Sequence, residues 1–228
     1  EPPTFYGPGW SVAKPNRHSE KPPRLRGGGV TGTYLVSVGA RAWFARGEED
    51  DDEAEGPGPL AAALNEELVR RGLPPYTSVP GEPAGRGPGF EEKFVASMDG
   101  YTALCRSLLS PEEEETVCGW TVLVPFSLDE PVRLPMETSF ADETVVAGAP
   151  QVLAALERLE AAVGLPDGMP SAGHNLELTA WYLDAGARAA AAARPGSWGA
   201  DPDTVFHVAL YLRAARYSLR HGCPLVHT

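Results

Sequence analysis

The strongest apolar signal in the chain runs from Val117 to Phe126, reading Val-Cys-Gly-Trp-Thr-Val-Leu-Val-Pro-Phe. It is apolar on both alternating faces and too short for a long helix, the pattern of a strand covered on two sides. This stretch is therefore predicted as the central strand. Thr33 to Phe44, rich in β-branched and aromatic residues, reads as another strand, and Glu143 to Ala147 as a weaker third. Helical spacing dominates the rest. Pro59 opens a helix with Leu60, Leu64 and Leu68 on one face and Gly72 as its stop. Phe90 to Leu109 carries the cleanest amphipathic stripe, with Phe94, Met98, Tyr101, Cys105 and Leu108 at alternating spacings of four and three. Ser110-Pro111-Glu112-Glu113 has the grammar of a new helical start, expected to be short because the central strand follows at Val117. Pro150 begins a helix with Val152, Leu153, Leu156, Leu159 and Val163 inward, ended by Gly164 and Pro166. Two further helices are predicted from Asn175 to Ala193 and from Asp201-Pro202-Asp203 to about His221.

A few strands separated and followed by many helices, with no internal repeat, predict an α+β or irregular α/β fold. The expectation is a small mixed sheet around a buried central strand, packed by about five helices. Residues 1–29 form a Pro/Gly-rich N-terminal arm and residues 30–228 a single domain, since no linker separates two self-sufficient cores. Leu73 to Gly89, a Pro/Gly-rich connection, is long for an internal loop and reads as a lid, a binding loop or an inter-lobe linker. Gly27, Gly28, Gly29 and Gly32 precede a strand rather than follow one and lead to no Gly-Lys-Ser/Thr, so they read as a joint and not as a phosphate loop.

Charge narrows the function classes. The net charge of −12 argues against binding the phosphate backbone of a nucleic acid and leaves a basic protein as the favoured macromolecular partner. The arm carries five basic and two acidic residues, so a basic segment precedes an acidic body. Glu48, Glu49, Asp50, Asp51, Asp52, Glu53 and Glu55 form a self-repelling block that reads as a solvated loop; calcium is the sharper alternative, but the spacing lacks the alternating Asp pattern of a calcium loop. Cys105, Cys118 and Cys223 make no disulfide framework and read as small buried hydrophobes. No apolar run reaches the length of a membrane span and no signal-peptide pattern is visible, which predicts a cytoplasmic protein. The Ala, Gly, Pro and Arg richness is that of a GC-rich bacterial genome.

Two constellations could carry chemistry. His174 and Glu177 lie at the start of one predicted helix and Asp203 and His207 at the start of the next. If those starts met, two imidazoles and two carboxylates would converge on a divalent metal, as in a metal-dependent hydrolase or oxygenase. Neither pair matches His-Glu-x-x-His, and acids at helix N-termini also serve as caps. Second, Arg213, Arg216 and Arg220 recur along the last helix with Tyr217 beside them. Such a stripe recognises carboxylate or phosphate when free, and is spent on the protein's own acids when paired. There is no Gly-x-Ser-x-Gly elbow and no distinctive Cys/His pair. The reading that follows is a non-enzymatic intracellular binding protein without a cofactor, an adaptor or neutraliser of a basic partner. The metal enzyme and the small-anion binder are its alternatives.

Overall fold

The computed structural model describes residues 33–45, 57–81, 89–138, 141–166, 168–170, 175–193 and 201–228. Six strands lie within them: β1 (Tyr34–Ser37), β2 (Glu91–Lys93), β3 (Val122–Val124), β4 (Val132–Leu134), β5 (Thr144–Gly148) and β6 (Leu225–His227). The helices are α1 (Ala40–Trp43), α2 (Pro57–Arg70), α3 (Asp99–Leu108), α4 (Pro111–Cys118), α5 (Ala149–Val163), α6 (Glu177–Leu183), α7 (Gly186–Ala193) and α8 (Pro202–His221). The strands form one mixed sheet in the order β2-β1-β6-β3-β5-β4, in which only β3 and β5 run parallel. This is the α+β class expected from the sequence.

The alternation of side chains across the sheet builds two cores. Val122 and Val124 of β3, with Val132, Leu134 and Val146, face Trp43, Leu60, Leu64 and Leu68 from α1 and α2. Leu123, Ala147 and Leu225 point the other way, into Tyr101, Leu156, Leu159, Phe206 and Leu210 from α3, α5 and α8. Every residue of β3 and β5 is buried. That is why these short strands read as continuous apolar runs, and each full Val or Leu side chain so buried contributes roughly 1.5–3 kcal/mol.

Several expected boundaries are corrected. The central strand does not begin at Val117. Ser110 and Glu113 complete a reciprocal capping box, and the helix it starts continues through Val117 to Cys118, leaving β3 three residues at Val122–Val124. The stripe over Phe90 to Leu109 is not one helix: Glu91–Lys93 pairs with β1 as an edge strand, and the helix starts only at Asp99. Thr33 to Phe44 divides into β1 and the single turn α1. The helix expected over Asn175 to Ala193 breaks into α6 and α7 at Asp184 and Ala185, the latter at φ 79°. These splits raise the helix count among the described residues above the expected five. Strands β2, β4 and β6 were not foreseen, and β6 lies near the middle of the sheet. The helices over Pro59, Pro150 and Asp201-Pro202 stand close to where spacing and caps put them, and Gly164 and Gly222 end α5 and α8 in the left-handed conformation that glycine tolerates best. The basic arm and the acidic block at 48–55 lie outside the described residues, as does part of the loop from Leu73 to Gly89. No helix among the described residues is long and apolar enough to cross a membrane.

Candidate functional site

The organising element is α8. Asp201 caps it by accepting from the Thr204 amide at 3.1 Å, Pro202 supplies its first turn, and thirteen of its side chains are buried. Its second half carries the arginine stripe. Ala209, Leu212, Arg213, Arg216, Tyr217 and Arg220 recur at helical spacing and line one wall of a cleft of about 180 Å³. Glu160 at the end of α5, with Leu165, Pro166, Met169 and Pro170 behind it, forms the opposite wall. The cleft thus sets an apolar wall against a cationic one.

The three arginines are not equivalent. Arg213 is almost wholly buried and pairs with Glu92 at 3.2 Å and Glu177 at 3.8 Å. Burial pulls its guanidinium below the usual arginine range, and the two carboxylates oppose that shift. Arg216, half exposed, bonds Glu160 at 3.0 Å and approaches Glu157 at 3.9 Å. Arg220 is exposed and makes no ion pair among the described residues. Tyr217 is held by its neighbours, its ring tilted against His221 at 4.2 Å between ring centroids and against Phe90 at 5.4 Å.

Glu92 anchors this wall from beneath, and sequence reasoning missed it. Its fully buried carboxylate accepts from the amides of Leu178 at 3.0 Å and Thr179 at 2.9 Å and from the Thr179 hydroxyl at 2.7 Å. A strand carboxylate therefore satisfies the open amides at the start of α6 and neutralises Arg213 at once. Read as part of an amphipathic helix, Glu92 fell on the polar face, and nothing local marks it as buried.

Three of the four metal-ligand candidates, Glu177, Asp203 and His207, lie within the described residues, and Glu177 stands apart from the other two. Helices α6 and α8 run antiparallel, so their starts lie at opposite ends of the contact. Glu177, at the start of α6, meets Arg213 in the body of α8, whereas Tyr182 near the end of α6 donates to Asp203 at the start of α8. Arg213 is six residues beyond His207, a rise of roughly 9 Å along the helix. Asp203 also accepts from the Ser97 amide at 3.2 Å. His207 lies one turn on, fully buried, with Nδ1 donating to the Asp203 carbonyl at 3.0 Å. A carbonyl only accepts, so the proton resides on Nδ1, and burial pushes the imidazole toward its neutral form. His174 lies outside the described residues. Among the described residues no three His, Cys, Asp or Glu side chains are grouped to hold a metal ion.

Around His207 the second core is unusually polar. Tyr101, Trp120, Tyr211, His227 and Phe94 pack ring against ring, with centroids 5.3 Å apart for Tyr101 and Tyr211 and 4.7 Å for Trp120 and His227. Burial raises both tyrosine hydroxyls above their usual range and lowers His227 to about 3. The Cys105 and Cys118 thiols touch in the same region, and that contact lowers Cys105 and raises Cys118. Tyr101, Trp120, His207, Tyr211 and His227 in this cluster are buried, whereas the cleft along α8 is open to solvent. In comparison with known proteins, the chain matches no family model, no curated protein and no solved structure.

Proposed function

We propose that this protein is a binding protein whose ligand is a small anion seated in the cleft along α8. The single observation that carries the reading is the arrangement of the arginine stripe. Arg213 and Arg216 are engaged by carboxylates of the same fold, while Arg220 stands exposed on the same cleft without such a partner among the described residues. A guanidinium so placed retains its full capacity to take a carboxylate or phosphate in two-point fashion. Calorimetric titration with a panel of inorganic and organic anions, on the wild type and on Arg220→Ala, tests this. Binding that weakens at least about tenfold in the variant supports the reading, because a hydrogen bond to a charged group is worth that much. An anion panel with no binding, or with binding indifferent to Arg220, overturns it.

A second reading, an adaptor or neutraliser of a basic protein, draws on the net charge of −12. It calls for capture that weakens steeply with salt and that Arg220→Ala leaves unchanged.

A further inference from the structure

We infer that the ligand of this cleft is a monocarboxylate with a compact apolar body of roughly six to eight heavy atoms, an inference that rests on the anion-binding reading above. Two features of the cleft set the class. The first is its charge balance. Arg213 is compensated by Glu92 and Glu177, and Arg216 by Glu160 at 3.0 Å. With Glu157 also 3.9 Å from Arg216, the described carboxylates match or exceed the charge of the other two arginines, so Arg220 is the one guanidinium that no described carboxylate answers. A monoanion matches that single guanidinium. A phosphate monoester, carrying close to two negative charges at neutral pH, would face the Glu160 carboxylate with Arg220 alone to answer both charges.

The second feature is the wall opposite the arginines. Leu165, Pro166, Met169 and Pro170, with Leu212 on α8, give the cleft an apolar surface that an inorganic anion leaves unused. The cleft volume of about 180 Å³ exceeds only slightly the 150 Å³ that suffices for benzene in an apolar cavity, so the body it takes is of that order. The guanidinium of Arg220 takes the headgroup while the body lies on Met169 and Leu165.

The test is a titration series on the intact chain: acetate, butyrate, hexanoate, octanoate and decanoate, with benzoate as a planar probe, inorganic phosphate as a headgroup without a body, and hexanol as a body without a headgroup. Affinity is expected to climb about fourfold per methylene from acetate, then to level off near hexanoate or octanoate as the cleft fills. Hexanol and phosphate are expected to bind at least about tenfold more weakly than hexanoate. Arg220→Ala should remove the headgroup advantage, and Met169→Ala should lower the increment per methylene while leaving acetate unchanged. Both side chains lie at the surface or partly so, and thermal denaturation of each variant verifies folding. Phosphate equal to or tighter than hexanoate, with no rise along the series, overturns the monocarboxylate assignment and leaves the anion-binding reading standing. Binding of every anion that ignores Arg220→Ala overturns both.

Discussion

The buried carboxylate of Glu92 yields the sharpest energetic prediction. Removing it as Glu92→Ala takes from Arg213, inside the protein, its nearer described carboxylate and leaves Glu177, 3.8 Å away and more exposed, as the other. It also strands the amides of Leu178 and Thr179, which now bond Glu92 at 3.0 and 2.9 Å. Breaking a buried ion pair from one side costs about 3–5 kcal/mol, and each amide left unmade adds about 1–3 kcal/mol where water cannot replace the lost bond. With side-chain exposures of 1% for Glu92 and 7% for Arg213, solvent screening discounts little of this. The expected loss is at least about 4 kcal/mol, a large share of the 5–15 kcal/mol that typically holds a domain folded. Glu92→Leu with Arg213→Met removes both charges and leaves the amide cost together with the loss of the weaker Glu177 contact. A double-mutant cycle by urea denaturation should therefore return a coupling of about 2 kcal/mol or more, with Arg213→Met far less damaging in the Glu92→Leu background than in the wild type. Additivity within about 0.5 kcal/mol, or a Glu92→Ala protein within about 1 kcal/mol of wild type, would refute the idea that this pair holds the floor of the cleft.

Four further outcomes follow from the same geometry. Folding holds His227 neutral down to about 3, against an unfolded value near 6.5, so its contribution is fully present above pH 6.5 and is lost as pH falls toward 3. The expected loss at pH 4 is on the order of 3 kcal/mol, and urea midpoints for wild type and His227→Gln between pH 7 and 4 should converge as the pH drops. His207 shifts in the same direction and adds to the acid sensitivity. Ser110→Ala breaks the capping box of α4 and should cost about 1 kcal/mol in chemical denaturation. Gly148→Ala places a methyl 2.7 Å from the Phe126 carbonyl and 2.8 Å from the Leu128 amide, and should lower stability by about 1–3 kcal/mol by forcing the β5–α5 corner apart. Protein purified without chelator should show the same metal content for wild type and His207→Ala by elemental mass spectrometry, because Asp203 is engaged by Tyr182 and the Ser97 amide, Glu177 lies at the far end of the helix contact, and no three ligand side chains are grouped around His207 among the described residues.

The elements that announced themselves in the sequence are those whose signals are local. The leucines of α2, the Pro150 start and Gly164 stop of α5, and the Asp201-Pro202 start of α8 each combine a periodic face with an end signal within a few residues. Strand β6 has neither: three residues are too few for a period, and Leu225–His227 become a strand only because β1 and β3 flank them. Strand β2 misleads for a different reason. Glu91, Glu92 and Lys93 resemble the polar face of a helix, and Glu92 is buried by partners more than eighty positions away, Thr179 and Arg213. The cleft divides along the same line. Its arginines are visible as a stripe, but the wall that makes them a site, Leu165, Pro166, Met169 and Pro170, carries no local signal of its own, and its placement against α8 is a tertiary fact.

The place of β6 in the sheet governs how the protein can be made. Strands β1 and β2 leave the ribosome early, yet β1 joins β3 only through Leu225–His227, which are synthesised after every other element described. Until those residues emerge, the sheet exists as two halves with an open seam. The β1 and β3 edges along that seam offer unpaired backbone to any neighbouring chain. Completion of this sheet therefore waits on Leu225–His227, and until they pair, the seam is where the nascent chain is most open to association with a neighbour.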